Sequence, residues 1–188
     1  MPRINPITAK SELPPEHQPV ADAVLEVFGH IRGPFSVMLY SPAMAEQLLP
    51  MVKFVREDTI VEPRLRFVAI LTAAREREAE YVWGAQVALA RKNGIREELI
   101  ALIRAKGEPG KLSEDERQIM IYIRQLMRTN RVDQAVFDAL KEKYGAQWLV
   151  ELTAIANFFA FVSGICNAFE VAPPPGGDKL PAIERSSP

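Results

Sequence analysis

The chain has 188 residues, 48% of them hydrophobic and 25% charged, with 23 basic and 24 acidic side chains and a net charge of −1. A chain of this length suits one domain and buries roughly 70% of the surface its unfolded form exposes, so its core needs neither disulfide nor metal. Basic and acidic residues are interleaved without a basic block, which excludes a nucleic-acid footprint.

Ten of the 15 prolines fall in residues 1–20 and 173–188. Proline fixes φ and removes a donor, so these segments are expected to be extended arms, floppy or wrapped on a neighbouring subunit, flanking one domain over 21–171. The first fifteen residues lack the apolar core of a signal peptide, and the cytoplasm is the expected compartment. Ala21, Val24, Leu25 and Phe28 repeat at helical spacing until Gly29 and Gly33-Pro34 stop them. A loop is expected over 32–42, then a helix with Ser41 as N-cap and Pro42 at its first position, reaching about Arg56 and bent or broken near Pro50. Glu62-Pro63 opens the next helix, which the charged run Arg75-Glu76-Arg77-Glu78 separates from one over Ala79–Lys92. Asn93-Gly94 closes that helix. A short helix follows over Arg96–Lys106. Ser113 and Glu116 form a capping box for a helix to about Arg128. Asp133 is expected to cap a helix to Tyr144, and a last helix runs over about 146–169. No alternating strand and no hairpin turn is legible, so the fold class is all-α.

The stretch Leu149–Phe169 is apolar enough to suggest a membrane span, but Glu151, Asn157, Ser163 and Asn167 favour a buried or interface helix and no membrane. Phe158, Phe159, Phe161 and Phe169 must be covered somewhere, which predicts self-association as a dimer, trimer or hexamer. Cys166 lies within the same stretch, where a lone thiol behaves as a small hydrophobe. His17 and His30 have no ligand spacing around them, so no metal is expected, and no glycine-rich phosphate loop implies a nucleotide. Cofactors are expected to be none.

The most informative segment is Glu62–Ile95. Its first part reads Arg64-Leu65-Arg66-Phe67-Val68-Ala69-Ile70-Leu71, then Ala74-Arg75. Its second part reads Tyr81-Val82-Trp83-Gly84-Ala85-Gln86, then Ala90 and Gly94. On the second helix Ala79, Val82, Gln86 and Leu89 share a face, and Gln86 is its polar exception. The segment resembles the carboxymuconolactone decarboxylase and AhpD-like superfamily. Gly33-Pro34-Phe35, Ser41-Pro42, the Ser113–Arg128 helix and Glu151-Leu152-Thr153 extend the resemblance from about Val20 to Val171. It implies an AhpD-like helical bundle with Pro-rich arms.

The departures from the family pattern fall on its working positions. Phe67 stands at a family glutamate and Gln86 at the family histidine. Ala79 and Val82 occupy the positions that hold the cysteine pair in the peroxidase branch. One thiolate to attack a peroxide and one to resolve it are both missing there, so thiol-peroxidase chemistry is disfavoured. The resemblance implies a decarboxylase-like protein acting on a small organic acid or lactone, with altered active-site chemistry and no metal or redox thiol. Gln86 can donate a hydrogen bond but cannot exchange a proton at neutral pH, so Arg75 and Glu80 join it as candidate catalytic residues. Phe67, Leu71, Val82, Trp83 and Tyr40 are the candidate pocket. For the run over 75–80 the alternative is a solvated charged bend, as such side chains are mostly exposed. For the whole chain the alternative is a catalytically silent ligand-binding or assembly homologue.

Overall fold

A computed structural model describes residues 2–110 and 112–181. Among them are nine α-helices and no strand, as the periodicity requires. They are α1 (Gln18–Phe28), α2 (Pro34–Met38), α3 (Pro42–Lys53), α4 (Pro63–Glu76), α5 (Glu80–Lys92), α6 (Glu97–Arg104), α7 (Glu114–Thr129), α8 (Gln134–Tyr144) and α9 (Ala146–Ala168).

The described residues divide into two units, one of residues 2–59 with 165–172, the other of 60–164 with 173–181. In the first unit α1 packs on α3. The amino-terminal segment is tied down at several points. Arg3 donates its backbone N–H to the Phe169 carbonyl at 3.0 Å, and Ile7 donates to Ser36 at 2.8 Å. Ile7 and Leu13 are buried. Two single 3₁₀ turns, Lys10–Glu12 and Pro15–His17, interrupt this segment, and α1 already begins at Gln18. Apolar contact thus draws the helix three residues further into the Pro-rich region than its spacing pattern suggests.

Three other local expectations need correction. The loop over 32–42 contains the short α2, opened by Pro34, where a proline's fixed φ suits a first helical turn. Pro50 does not break α3, which runs on to Lys53 and ends in a single π turn over Phe54–Asp58. Asp133 occupies the N-cap position of α8 but makes no side-chain cap bond. Its carboxylate instead accepts a hydrogen bond from Gln125 Nε2 at 2.6 Å. The capping box of α7 does form: Ser113 Oγ accepts from the Glu116 N–H and the Glu116 carboxylate from the Ser113 N–H.

In the second unit α4 is the central helix. Every residue from Phe67 to Arg75 is buried, because α5, α6 and α7 all pack on it. Helix α9 contributes Trp148, Leu149, Leu152, Ile155, Ala156 and Val162 as buried residues, while Val150 and Phe161 stay exposed. It is the one helix among the described residues long and apolar enough to cross a membrane, and half of its most apolar stretch is buried inside the protein.

After α9 the chain returns across α5 as a strap. Arg91 and Arg104 both pair with the Asp178 carboxylate, Arg104 at 2.6 Å. Gly84 permits this approach, since a Cβ there would meet the Asp178 carbonyl at 3.1 Å and Pro174 Cγ at 3.3 Å. The turn is made by Gly176, at φ 69°, a left-handed conformation that glycine adopts without penalty. Substituting Gly84→Val should therefore lift the strap, read as faster proteolysis within residues 173–181 while the helical circular-dichroism signal is retained. Unchanged cleavage would show that the strap gives way without detaching.

Hydrogen bonds from Arg91, reinforced by the charges of Arg91 and Arg104, hold the Asp178 carboxyl below its ordinary range. A carboxyl that titrates lower in the folded chain than in the unfolded one stabilises the fold above its ordinary pKa. That contribution is lost as pH falls through the depressed value. Strap protection, followed by hydrogen exchange of residues 173–181, should thus hold at neutral pH and fail in acid. Asp178→Asn should remove this acid dependence.

Candidate functional site

The residues singled out lie on α4 and α5, two helices that pack on each other. Phe67 and Leu71 are one turn apart on α4 and share a face, because residues four apart align on a helix. Both are buried, as are Ala79 and Val82 at the start of α5. Gln86, one turn beyond Val82, is half-buried, and Leu89 is exposed. The face that the spacing defined therefore runs from core to surface along α5, with Gln86 at the transition. The Gln86 carboxamide has no hydrogen-bond partner among the described residues. Phe67 and Val82 offer no polar atom, so the face carries one amide against hydrocarbon.

Trp83 turns away from this face. It is fully buried, its ring lies 5.9 Å from the Arg104 guanidinium carbon, and its indole N–H has no partner among the described residues. An aromatic ring in that position serves as a packing anchor with a cation on its face. Tyr40 belongs to the other unit, is 58% exposed, and donates its hydroxyl to the Asn5 carbonyl at 2.8 Å.

The charged run between α4 and α5 is solvated only in part, at Arg77 and Glu80. Arg75 is only 8% exposed. Its Nε donates to the Arg104 carbonyl at 2.6 Å and its Nη1 pairs with Glu78. Lys106 also pairs with Glu78, which turns the chain in the left-handed region at φ 51°. Glu76, with a side chain 5% exposed, receives Arg128 at 2.7 Å and lies 3.6 Å from Arg124. The Arg124 Nε has no partner among the described residues, and burial lowers its pKa. Sequence gave little warning, as the partners come from α6, α7 and the following loop. The cue was charge balance: acids and bases alternate here at spacings that cannot all pair within one helix. Glu80, by contrast, is exposed at the first position of α5.

A second charged cluster escaped the sequence reading. Glu116 is 1% exposed, and its carboxylate accepts from Arg64 at 3.2 Å and from Arg96 at 2.6 Å. Only the capping-box role of Glu116 was legible, since Arg64 lies on α4 and Arg96 at the N-cap of α6. Elsewhere, burial pushes the Cys166 thiol up to about 12, which leaves it protonated and unreactive at neutral pH. No group of three or more His, Cys, Asp or Glu suited to a metal occurs among the described residues.

The arrangement was compared with known proteins. No family model matches the chain and no curated protein matches it. Solved structures do. An uncharacterized peroxidase-related protein from Ralstonia eutropha JMP134, described as an alkylhydroperoxidase AhpD core, superposes with a TM-score of 0.72 at 15% identity, over 91% of this chain and 94% of that one. The chain has the AhpD-like fold. A peroxidase-related protein from Silicibacter sp. TM1040 gives a TM-score of 0.71 at 13% identity, covering 92% of this chain and 89% of that one. The debrominase Bmp8, solved in complex with 2,3,4-tribromopyrrole, gives 0.70 at 16% identity, covering 92% and 93%. The AhpD-like bundle expected from Glu62–Ile95 is therefore present.

The two charged candidates can be separated by stability. Arg75→Met removes a buried cation from Glu78 and from the Arg104 carbonyl, and should cost about 3 kcal/mol in denaturant unfolding, as breaking a buried pair does. Glu80→Ala, at an exposed position, should stay within about 0.5 kcal/mol of the parent. Equal, small effects would contradict the structural role given to Arg75.

Proposed function

We propose that the chain acts on a small organic acid or lactone, bound against the α4–α5 face of Phe67, Val82 and Gln86, by chemistry altered from that of its fold relatives. One observation carries this reading: Gln86 is a half-buried carboxamide without a partner among the described residues, on a face otherwise apolar. An amide placed this way can donate to a carbonyl oxygen and stabilise charge that develops there, in surroundings that screen little. It cannot move a proton, so proton transfer falls to the substrate's own acid or to water. Phe67 and Val82 supply area for the apolar part of a small molecule. The debrominase with this fold was solved holding 2,3,4-tribromopyrrole, a small ring of that kind.

A second reading, a ligand-binding homologue without turnover, draws on the fate of the two charged candidates. Arg75 spends donors on Glu78 and the Arg104 carbonyl, and Glu80 stands exposed. Self-association goes with either reading, supported by the exposed Val150 and Phe161 on α9.

The two readings separate in one experiment. Purified protein is assayed for turnover and, by calorimetry, for binding across a set of lactones and small organic acids. Enzymatic action predicts turnover that Gln86→Ala lowers by about 100-fold in kcat, the scale of losing one preorganised donor. Binding alone predicts heat without product, weakened in the same variant. Ligand binding indifferent to Gln86→Ala would sink both, and hydroperoxide consumption with a thiol reductant would contradict both.

A further inference from the structure

Where α4, α6 and α7 begin, Arg64, Arg96 and Glu116 line a cleft of about 100 Å³ together with Gly94, Ile95 and Leu99. We propose that this cleft binds a single small oxyanion, phosphate or the carboxylate of an organic acid, gripped by Arg64 and Arg96. The inference goes beyond the α4–α5 reading and does not rest on it.

The first argument is charge. Two guanidinium groups converge on one carboxylate, at 3.2 Å and 2.6 Å. Arg64 also acts by its charge on Asp115, whose carboxyl is held low chiefly by Lys143 and then by Tyr144. Lys143 and Asp115 form an ion pair of their own. Within the group of three, two cations share one carboxylate.

The second argument is the division of labour between buried and exposed groups. The Glu116 side chain is 2% exposed, while those of Arg64 and Arg96 are 49% and 48% exposed. A guanidinium offers five N–H donors in a rigid fork matched to carboxylate and phosphate. Glu116 takes one nitrogen of each arginine. The remaining donors are half in solvent, on side chains whose orientation a buried anchor already fixes, so little rotamer entropy remains to be lost on binding. Glu116 is itself held by the Ser113 N–H at 3.2 Å.

The third argument is size and lining. The space holds more than one water and so admits a small ion. Ile95 and Leu99 are buried and make one wall apolar, and a Cβ built on Gly94 would meet nothing within 4 Å, so the cleft opens at that point.

The test titrates the full chain with sodium phosphate and, separately, sodium acetate, at constant ionic strength set by sodium chloride. The readout is calorimetry together with the arginine side-chain N–H resonances. The expected result is saturable binding of one equivalent that shifts the Arg64 and Arg96 resonances and weakens about tenfold in Arg96→Lys, which keeps the charge but loses the fork. Lys10→Met, at a distant surface pair, should leave it unchanged. Saturation by phosphate alone identifies a phosphate or phosphoester site. Saturation by acetate identifies a carboxylate site, and either supports the proposal. No saturation by either anion, or saturation equal in parent and Arg96→Lys, overturns it. Should Arg96→Lys fold poorly, the parent's resonances decide, and shifts confined to other arginines overturn it as well.

Discussion

Everything else in the larger unit depends on the burial of α4 on all its sides. From Phe67 to Arg75 no residue reaches solvent, so α5, α6 and α7 must surround it. A helix buried in this way cannot carry an ionisable side chain without a partner, because an isolated charge in the interior costs several kcal/mol. Arg75 meets this condition through Glu78 and the Arg104 carbonyl, and Glu76 just beyond through Arg124 and Arg128. The charged bend is thus the place where a buried helix hands its polar load to neighbouring elements.

The same constraint holds at the junction of α4 and α5. Phe67, Ala79 and Val82 are buried hydrocarbon there, which carries no desolvation cost. Gln86 lies where α5 begins to emerge, and an amide there can be satisfied by a ligand or by water. Chemistry on such a face rests on orientation and hydrogen bonding, with no thiolate and no imidazole on it. Cys166, with its thiol held protonated by burial, adds nothing to that inventory.

The charge network has a second pole at Glu116. The two clusters are alike in composition, arginines around a nearly buried glutamate, and differ in what they leave open. At Glu76 one arginine, Arg124, has a side chain 9% exposed and the other, Arg128, one 50% exposed. At Glu116 both arginines are about half exposed.

The sequence by itself determined the helical class and most element boundaries. These follow from local rules: apolar spacing of three and four, Pro63 at a helix start, Gly94 after a helix end, and the Ser113–Glu116 capping box. It also located Gln86 as the polar exception on its face, because faces are fixed by spacing alone. Tertiary structure decided the rest. That Arg75 is a buried structural cation, that Asp178 returns to Gly84 and Arg104, and that Arg64 and Arg96 converge on Glu116 all depend on contacts between residues 20 to about 90 positions apart. Such pairs leave no periodic trace in the sequence. They are set by how helices pack, and a charged side chain reads the same in sequence whether water or another helix surrounds it.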